Sequence, residues 1–424
     1  MTPAGRDGDG WLRNAHVPSC LTDLDGPELL SLDIELRGGR IAALAPHAAP
    51  PGAPDLAGRM VLPCWVDMHT HLDKGHIWPR APNPDGTFMG ALSTVQADRI
   101  ANWSAADVEA RMEFMLRCAH AHGTAAVRTH LDSIWPQPEI SWPVMARLRQ
   151  RWAGRIELQA VSLAMIEHYA GDAGPRLADI VASHGGVLGL VPLMQPGLDA
   201  ALDRFLGLAA GRGLDVDLHC DETADPSAAT LRHLAEAALR QGFTGRIVAG
   251  HCCSLATQPD DEMRRTLDLV ARAGIAIVSL PMCNMYLQDR AAGRTPRWRG
   301  VTVLHEARAR GIPVAVASDN TRDPFYAYGD HDMHEVFREA VRILQLDHPI
   351  RKWADVVAAS PADIIGLSER GRIRVGAPAD LVILEGRSWS EALSRPESRR
   401  TVLRAGKPID TTPPAYAELD HLFA

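Results

Sequence analysis

Met60-Val61-Leu62-Pro63-Cys64-Trp65-Val66-Asp67-Met68-His69-Thr70-His71 opens as a short apolar run and closes on two histidines one residue apart. A run of that length and character reads as a buried strand. Successive side chains on a strand point to opposite faces, so His69 and His71 share a face. Their imidazoles then aim at one point just beyond the strand's carboxyl end. Neutral imidazole is a common metal ligand, and two converging rings make half of a tetrahedral shell. His-x-His also arises by chance, so its meaning depends on what the rest of the chain supplies.

Working outward, apolar runs alternate with Ala- and Leu-rich helical stretches from Val61 to about Ile365. The expected strands are Val61–Met68, Thr124–Thr129, Ile156–Leu163, Val187–Leu193, Leu214–Leu218, Arg246–Gly250, Ile275–Leu280 and Pro313–Ser318. Between them lie helical segments such as Ala106–Ala121, Ser227–Gln241, Asp260–Ala273 and Leu304–Arg310. Eight strand–helix repeats match a (β/α)8 TIM barrel, which usually takes ~250 residues. A doubly wound open sheet is the main alternative, but no Gly-x-Gly-x-x-Gly follows the first strand. The fold class is therefore α/β. Short strands and turns flank the barrel on both sides. Ile34–Leu44 alternates around Gly38-Gly39 as a hairpin would, and Asp380–Gly386 and Thr401–Pro408 read as strands near the other end. The expected organisation is a small β-sandwich domain built from residues 1–60 plus 366–424, with a catalytic barrel over 61–365 inserted between.

Composition excludes several function classes. The chain has 424 residues, 46% hydrophobic and 23% charged, with a net charge of -8. That gives no basic footprint for nucleic acid. No apolar run approaches the ~18 residues that span a bilayer, and the first twenty residues lack the apolar core of a secretory signal. Seven cysteines without a Cys-x-x-Cys pair fit reduced thiols in a cytoplasm better than a disulfide framework. Ten tryptophans against five tyrosines supply flat apolar walls for a core or for a planar substrate.

In a barrel the carboxyl ends of the strands form the reactive face. Strand one ends in His69 and His71, strand five in His219, strand six in His251 and strand eight in Asp319. Each alone could cap a turn; all five at one topological end point to a site. His69, His71, His219 and Asp319 offer three neutral nitrogens and a carboxylate, a set that holds one divalent ion with a position open for water. Such an ion lowers the pKa of the water from 15.7 toward about 7. Asp319 can then accept the water's proton, and Glu222, three residues past His219 in a loop, is free to swing toward a substrate as general acid. His251 can orient the attacking water and stabilise developing charge. A second ion would need a bridging anion, commonly a modified lysine on strand four, and Val187–Leu193 contains no lysine. One metal is expected.

His69-Thr70-His71, His219-Cys220-Asp221-Glu222, Gly250-His251 and Ser318-Asp319 resemble the amidohydrolase superfamily in its mononuclear deaminase arm. Val127–Asp132, Glu157–Val161, Asn284–Gln288, Asp323–Tyr326 and Ala377–Val382 are similar to stretches of the bacterial cytosine deaminases, over roughly residues 60–385. The resemblance implies hydrolytic removal of an amino group from a heterocycle, with iron or zinc as the metal. It also marks departures. The glutamine that reads the pyrimidine in those enzymes falls at or near Met165 here, the acid beside the metal aspartate is Asn320, and a ring-packing tryptophan is Phe325. Met cannot make the paired amide hydrogen bonds of Gln, so the expected substrate is an aminated heterocycle (cytosine-like, pyrimidine, triazine or related) other than cytosine itself. Hydrolysis of a cyclic amide, displacement of an alkylamine, and non-catalytic binding of heterocycles are the alternatives.

Other residues carry two readings each. Lys74 can hold an anionic substrate group, as a similar His-Leu-Asp-Lys run in triazine-processing relatives permits, or it can pair with Asp73 or reach solvent. Gln288 and Asn284 are expected substrate contacts on the strand-seven loop. His130 reads as a contact behind the ligands or as a structural histidine, and Cys252-Cys253 as small apolar packing. The expected partner is a small heterocycle, with no nucleic acid and no membrane, and relatives of this kind often form homo-oligomers.

Overall fold

Apolar, β-branched runs bounded by helices give eight parallel strands in the computed structural model, which describes residues 8–396 and 399–423. They are β1 (Trp65–Thr70), β2 (Thr124–Asp132), β3 (Glu157–Leu163), β4 (Leu188–Leu190), β5 (Val216–Cys220), β6 (Ile247–His251), β7 (Ile275–Ser279) and β8 (Val314–Val316). Ladders join β1 to β3 and β4 to β8 in sequence order. Two seams link these sheets. Between β3 and β4, the Ser162 N–H donates to the Val187 carbonyl at 3.1 Å and the Val187 N–H to Ala160 at 2.9 Å. Between β8 and β1, the Asp319 N–H donates to the His69 carbonyl at 2.9 Å. The chain is thus a TIM barrel with β-sheets beside it. Val66, Met68, Ala126, Val248, Val278 and Ala315 share one apolar cluster with Ala362 and Ile364 of the helix Ala359–Ile364.

The β3–β4 seam depends on a residue without a side chain. A Cβ at Gly189 would stand 1.8 Å from the Ser162 carbonyl oxygen. The Gly189 N–H instead meets Ser162 Oγ at 2.9 Å, and the buried Tyr169 hydroxyl donates to the Gly189 carbonyl at 2.6 Å. Gly189→Ala forces backbone apart inside a packed wall, so we expect it to destabilise the fold by about 3 kcal/mol or more. A urea midpoint equal to that of the unaltered protein would contradict this reading of the seam.

Expected strand Val61–Met68 is in fact two strands. Val61–Pro63 pairs antiparallel with Leu381–Leu384, whereas Trp65–Thr70 pairs with β2. The switch falls at Cys64, whose N–H donates to the Asp380 carbonyl at 2.9 Å, while that of Trp65 donates to Gly123 at 3.0 Å. Pro63 has no N–H to continue a ladder, which makes it a natural place to change partners.

Leu381–Leu384 also pairs with Arg400–Arg404, and Lys407–Pro408 completes that sheet. A second antiparallel sheet, Gly10–Pro18, Leu29–Arg37 and Arg40–Ala45, faces it. Its Gly38-Gly39 turn has φ of 57° and 74°, the left-handed pair that a two-residue hairpin requires. Leu12, Ile34, Leu36, Val61, Leu381 and Leu403 form the core between the two sheets. Farther on, Leu419 packs against Phe114 and Cys118 of the barrel helix Ala105–Ala121. Among the described residues no helix is long and apolar enough to cross a membrane.

Candidate active site

The carboxyl ends of the strands bring the expected donors together. His71 Nε2 lies 3.2 Å from Asp319 Oδ1, His69 Nε2 lies 3.7 Å from the same oxygen, and His219 Nε2 lies 3.4 Å from His71 Nε2. Local sequence explains the approach. Gly250 pairs in register with His219, and a Cβ at Gly250 would stand 2.9 Å from His69 Cε1, so only glycine lets the His69 ring lie against β6. His251, the last residue of β6, and Asp319, three residues past β8, have φ of 66° and 65°. A left-handed backbone costs a non-glycine residue roughly 1–2 kcal/mol, a strain that packing must offset. Behind them, Asp67 accepts from the Ser318 N–H at 3.1 Å and the Ser318 hydroxyl at 2.5 Å, and the Thr70 hydroxyl donates to the Asp319 carbonyl at 2.8 Å. β1 and β8 are thereby pinned where His69 and Asp319 emerge.

Both ring nitrogens of His69, Nδ1 of His71 and of His219, and both carboxylate oxygens of Asp319 are buried without a hydrogen-bond partner among the described residues. A buried unsatisfied polar atom costs about 1–3 kcal/mol, so such a cluster is explained by a cation that satisfies it jointly. Burial, ahead of repulsion from neighbouring imidazoles and Lys74, keeps the three histidines well below their ordinary range, hence neutral with lone pairs available. Burial also pushes the Asp319 carboxyl upward, and a cation alongside would restore its charge. The donor set fits a divalent metal. His130 stands behind it, its ring centroid 3.9 Å from that of His69, over a buried Arg128–Asp217 pair at 3.0 Å.

Glu222 is not free to swing, as its loop position led us to expect. Asn284 Nδ2 donates to Glu222 Oε1 at 2.9 Å and to His251 Nδ1 at 3.0 Å, and Gln288 Nε2 donates to the Glu222 carbonyl at 3.1 Å. Burial first, and then the nearby Asp319 charge, hold the Glu222 carboxyl well above its ordinary range. That shift favours the protonated carboxyl, the form a general acid needs.

Lys74 departs from its expected pairing. It is buried and meets Asp132 Oδ1 at 3.0 Å, with its ammonium 5.5 Å over the Phe325 ring. Asp73, the sequence neighbour, instead accepts from the Asp132 N–H at 2.6 Å. Arg99 reaches the other oxygen of Asp132 at 3.2 Å. Phe325 packs edge-on against Phe88 at 5.5 Å. Asn320 is satisfied internally, donating to Asp323 Oδ2 at 2.7 Å and accepting from the Cys283 thiol at 3.6 Å. Met165 is half-buried at the β3–β4 seam, bridged to Val191. Cys252 and Cys253 are buried, and that burial keeps their thiols protonated, in keeping with packing. Asp132 and Cys283 were not singled out from the sequence; their contacts cross between separate strand ends and leave no local signal.

Similarity to known proteins agrees with this geometry. The Amidohydrolase family profile matches residues 153–410. A pterin deaminase from Rhizobium rhizogenes is 56% identical over 417 residues, covering 96% of this chain and 95% of that protein. In structure, a 5-methylcytosine deaminase from Klebsiella pneumoniae superposes with a TM-score of 0.81 at 26% identity, covering 94% of this chain and 97% of the other. An N-isopropylammelide isopropylaminohydrolase from Burkholderia multivorans gives 0.73 at 26% identity over the same shares. Matches that run nearly the whole length of both partners carry the barrel and the terminal β-sheets together. The chain belongs to the amidohydrolase family, as a metal-dependent hydrolase that cleaves C–N bonds and deaminates a nitrogen heterocycle.

Proposed function

We propose that the substrate is a pterin, whose exocyclic amine is released as ammonia while water supplies the oxygen of the product. The carrying observation is the 56% identity to a pterin deaminase along nearly the whole of both chains. His69, His71, His219 and Asp319 would hold one divalent ion, zinc or iron. When bound, that ion supplies the Lewis acidity that brings a water's pKa near neutrality. Asp319 takes the proton from the attacking water and returns it to the exocyclic nitrogen, which leaves as ammonia as its C–N bond breaks. Glu222 delivers its proton to the ring nitrogen beside the reacting carbon, so that electrons displaced from the C=N bond find a place. His251 donates to the developing charge. We assign Phe325 and Lys74, which pack against each other, to one side of the substrate, with Met165, Gln288 and Asn320 as its further contacts. Phe325 offers an apolar face to a flat bicycle.

On this reading the barrel spans about residues 61–365, and residues 1–60 with 366–424 build the sandwich. Seven unpaired cysteines, six of them buried, favour a reducing compartment, the cytoplasm. A homo-oligomer is consistent with the family.

The test is ammonia release from a panel holding pterin, cytosine, guanine and N-isopropylammelide, with loss of the pterin chromophore followed in parallel. Pterin is expected to give the highest kcat/KM. Faster turnover of cytosine, or amine release from N-isopropylammelide alone, would overturn the assignment.

A further inference from the structure

Asn284 sits on the first turn of the helix Pro281–Leu287, directly after β7, and is fully buried. Proline at the first helical position presets the turn, and the Asn284 N–H closes it on the Leu280 carbonyl at 3.0 Å. At the other end, the Gln288 N–H donates to the Asn284 carbonyl at 2.9 Å while the Gln288 side chain grips the Glu222 carbonyl at 3.1 Å. The helix is therefore fastened to the loop that carries Glu222.

The two hydrogens of Asn284 Nδ2 meet two acceptors, Glu222 Oε1 at 2.9 Å and His251 Nδ1 at 3.0 Å. A ring nitrogen that accepts carries no proton, so a neutral His251 bears its proton on Nε2. Nε2 is buried and has no partner among the described residues. The opposite amide orientation would put both Nδ2 hydrogens where Oδ1 now stands, buried and with no acceptor among the described residues. Two orphaned N–H donors cost more than one orphaned carbonyl oxygen.

We propose that Asn284 is a positioning residue that fixes His251 as its Nε2–H tautomer and holds Glu222 Oε1 beside it, which rests on the deaminase reading above. Oε2 is then the oxygen left to carry the transferable proton, and His251 presents a donor rather than a lone pair. Asn284 acts through these two groups.

The experiment uses the zinc-loaded full chain with histidine 15N labelling, His251→Gln identifying the resonance. The unaltered protein should show the Nε2–H pattern at His251, and Asn284→Asp, whose carboxylate can only accept, should convert it to Nδ1–H. Asn284→Leu should lower kcat about 100-fold with KM within about threefold, at unchanged metal content. Combined with His251→Gln, its loss should fall at least about tenfold short of the product of the single losses, because the two share one task. An Nδ1–H pattern at His251 in the unaltered protein overturns the proposal, even if no Asn284 variant folds. So does a kcat for Asn284→Leu within about threefold of the unaltered enzyme, or fully multiplicative losses. The tautomer is read without turnover, so a protein that releases no ammonia from any heterocycle defeats the deaminase reading separately.

Discussion

Glu222→Gln is expected to lower kcat about 1000-fold while leaving one metal ion per chain, within the 100- to 10,000-fold range of positioned acid catalysis. The substitution keeps shape and keeps an oxygen for Asn284 Nδ2, now 2.9 Å from Glu222 Oε1. What it removes is the titratable carboxyl, whose protonated form burial and the Asp319 charge favour. An amide cannot hand a proton to a ring nitrogen. Substrate binding is expected to survive, because the donors around the pocket are untouched. The variant thus separates an enzyme from a protein that merely binds heterocycles. The check is kcat and KM on pterin together with metal analysis, and a loss smaller than about tenfold would take the acid role from Glu222.

Asp319→Asn should be more severe, about 10,000-fold in kcat, because one carboxylate serves two purposes there. Its Oδ1 lies 3.2 Å from His71 Nε2 and 3.7 Å from His69 Nε2, so it closes the ligand cluster. In the proposed mechanism it is also the base for the incoming water. The backbone does not depend on the charge, since the Asp319 N–H and carbonyl are held by His69 and Thr70. Fold should therefore persist while metal is held more weakly. Normal turnover in a variant that retains its ion would mean that the proton goes elsewhere.

Much of this was legible in the chain itself, for identifiable reasons. Strands β2 to β8 fall within a few residues of their expected places because each is an apolar run cut off by a helix. His69, His219, His251 and Asp319 could be found because a barrel puts all strand carboxyl ends on one face, so position along a strand stands in for position in space. That shortcut fails wherever a contact joins different strand ends side by side. Lys74 pairs with Asp132 across β1 and β2 rather than with its neighbour Asp73. Asn284 looked like a substrate contact, whereas β6–β7 adjacency turns it onto Glu222 and His251. The single apolar run Val61–Met68 concealed a change of sheet at Cys64, since hydrophobicity marks burial but not the partner strand.

Diffraction from the metal-loaded protein, collected on both sides of the zinc or iron absorption edge, tests the central claim most directly. One anomalous peak is expected per chain, about 2.0–2.2 Å from nitrogens of His69, His71 and His219 and an oxygen of Asp319. A peak bound by other residues, a second peak in the barrel, or no peak in protein that still releases ammonia would contradict it.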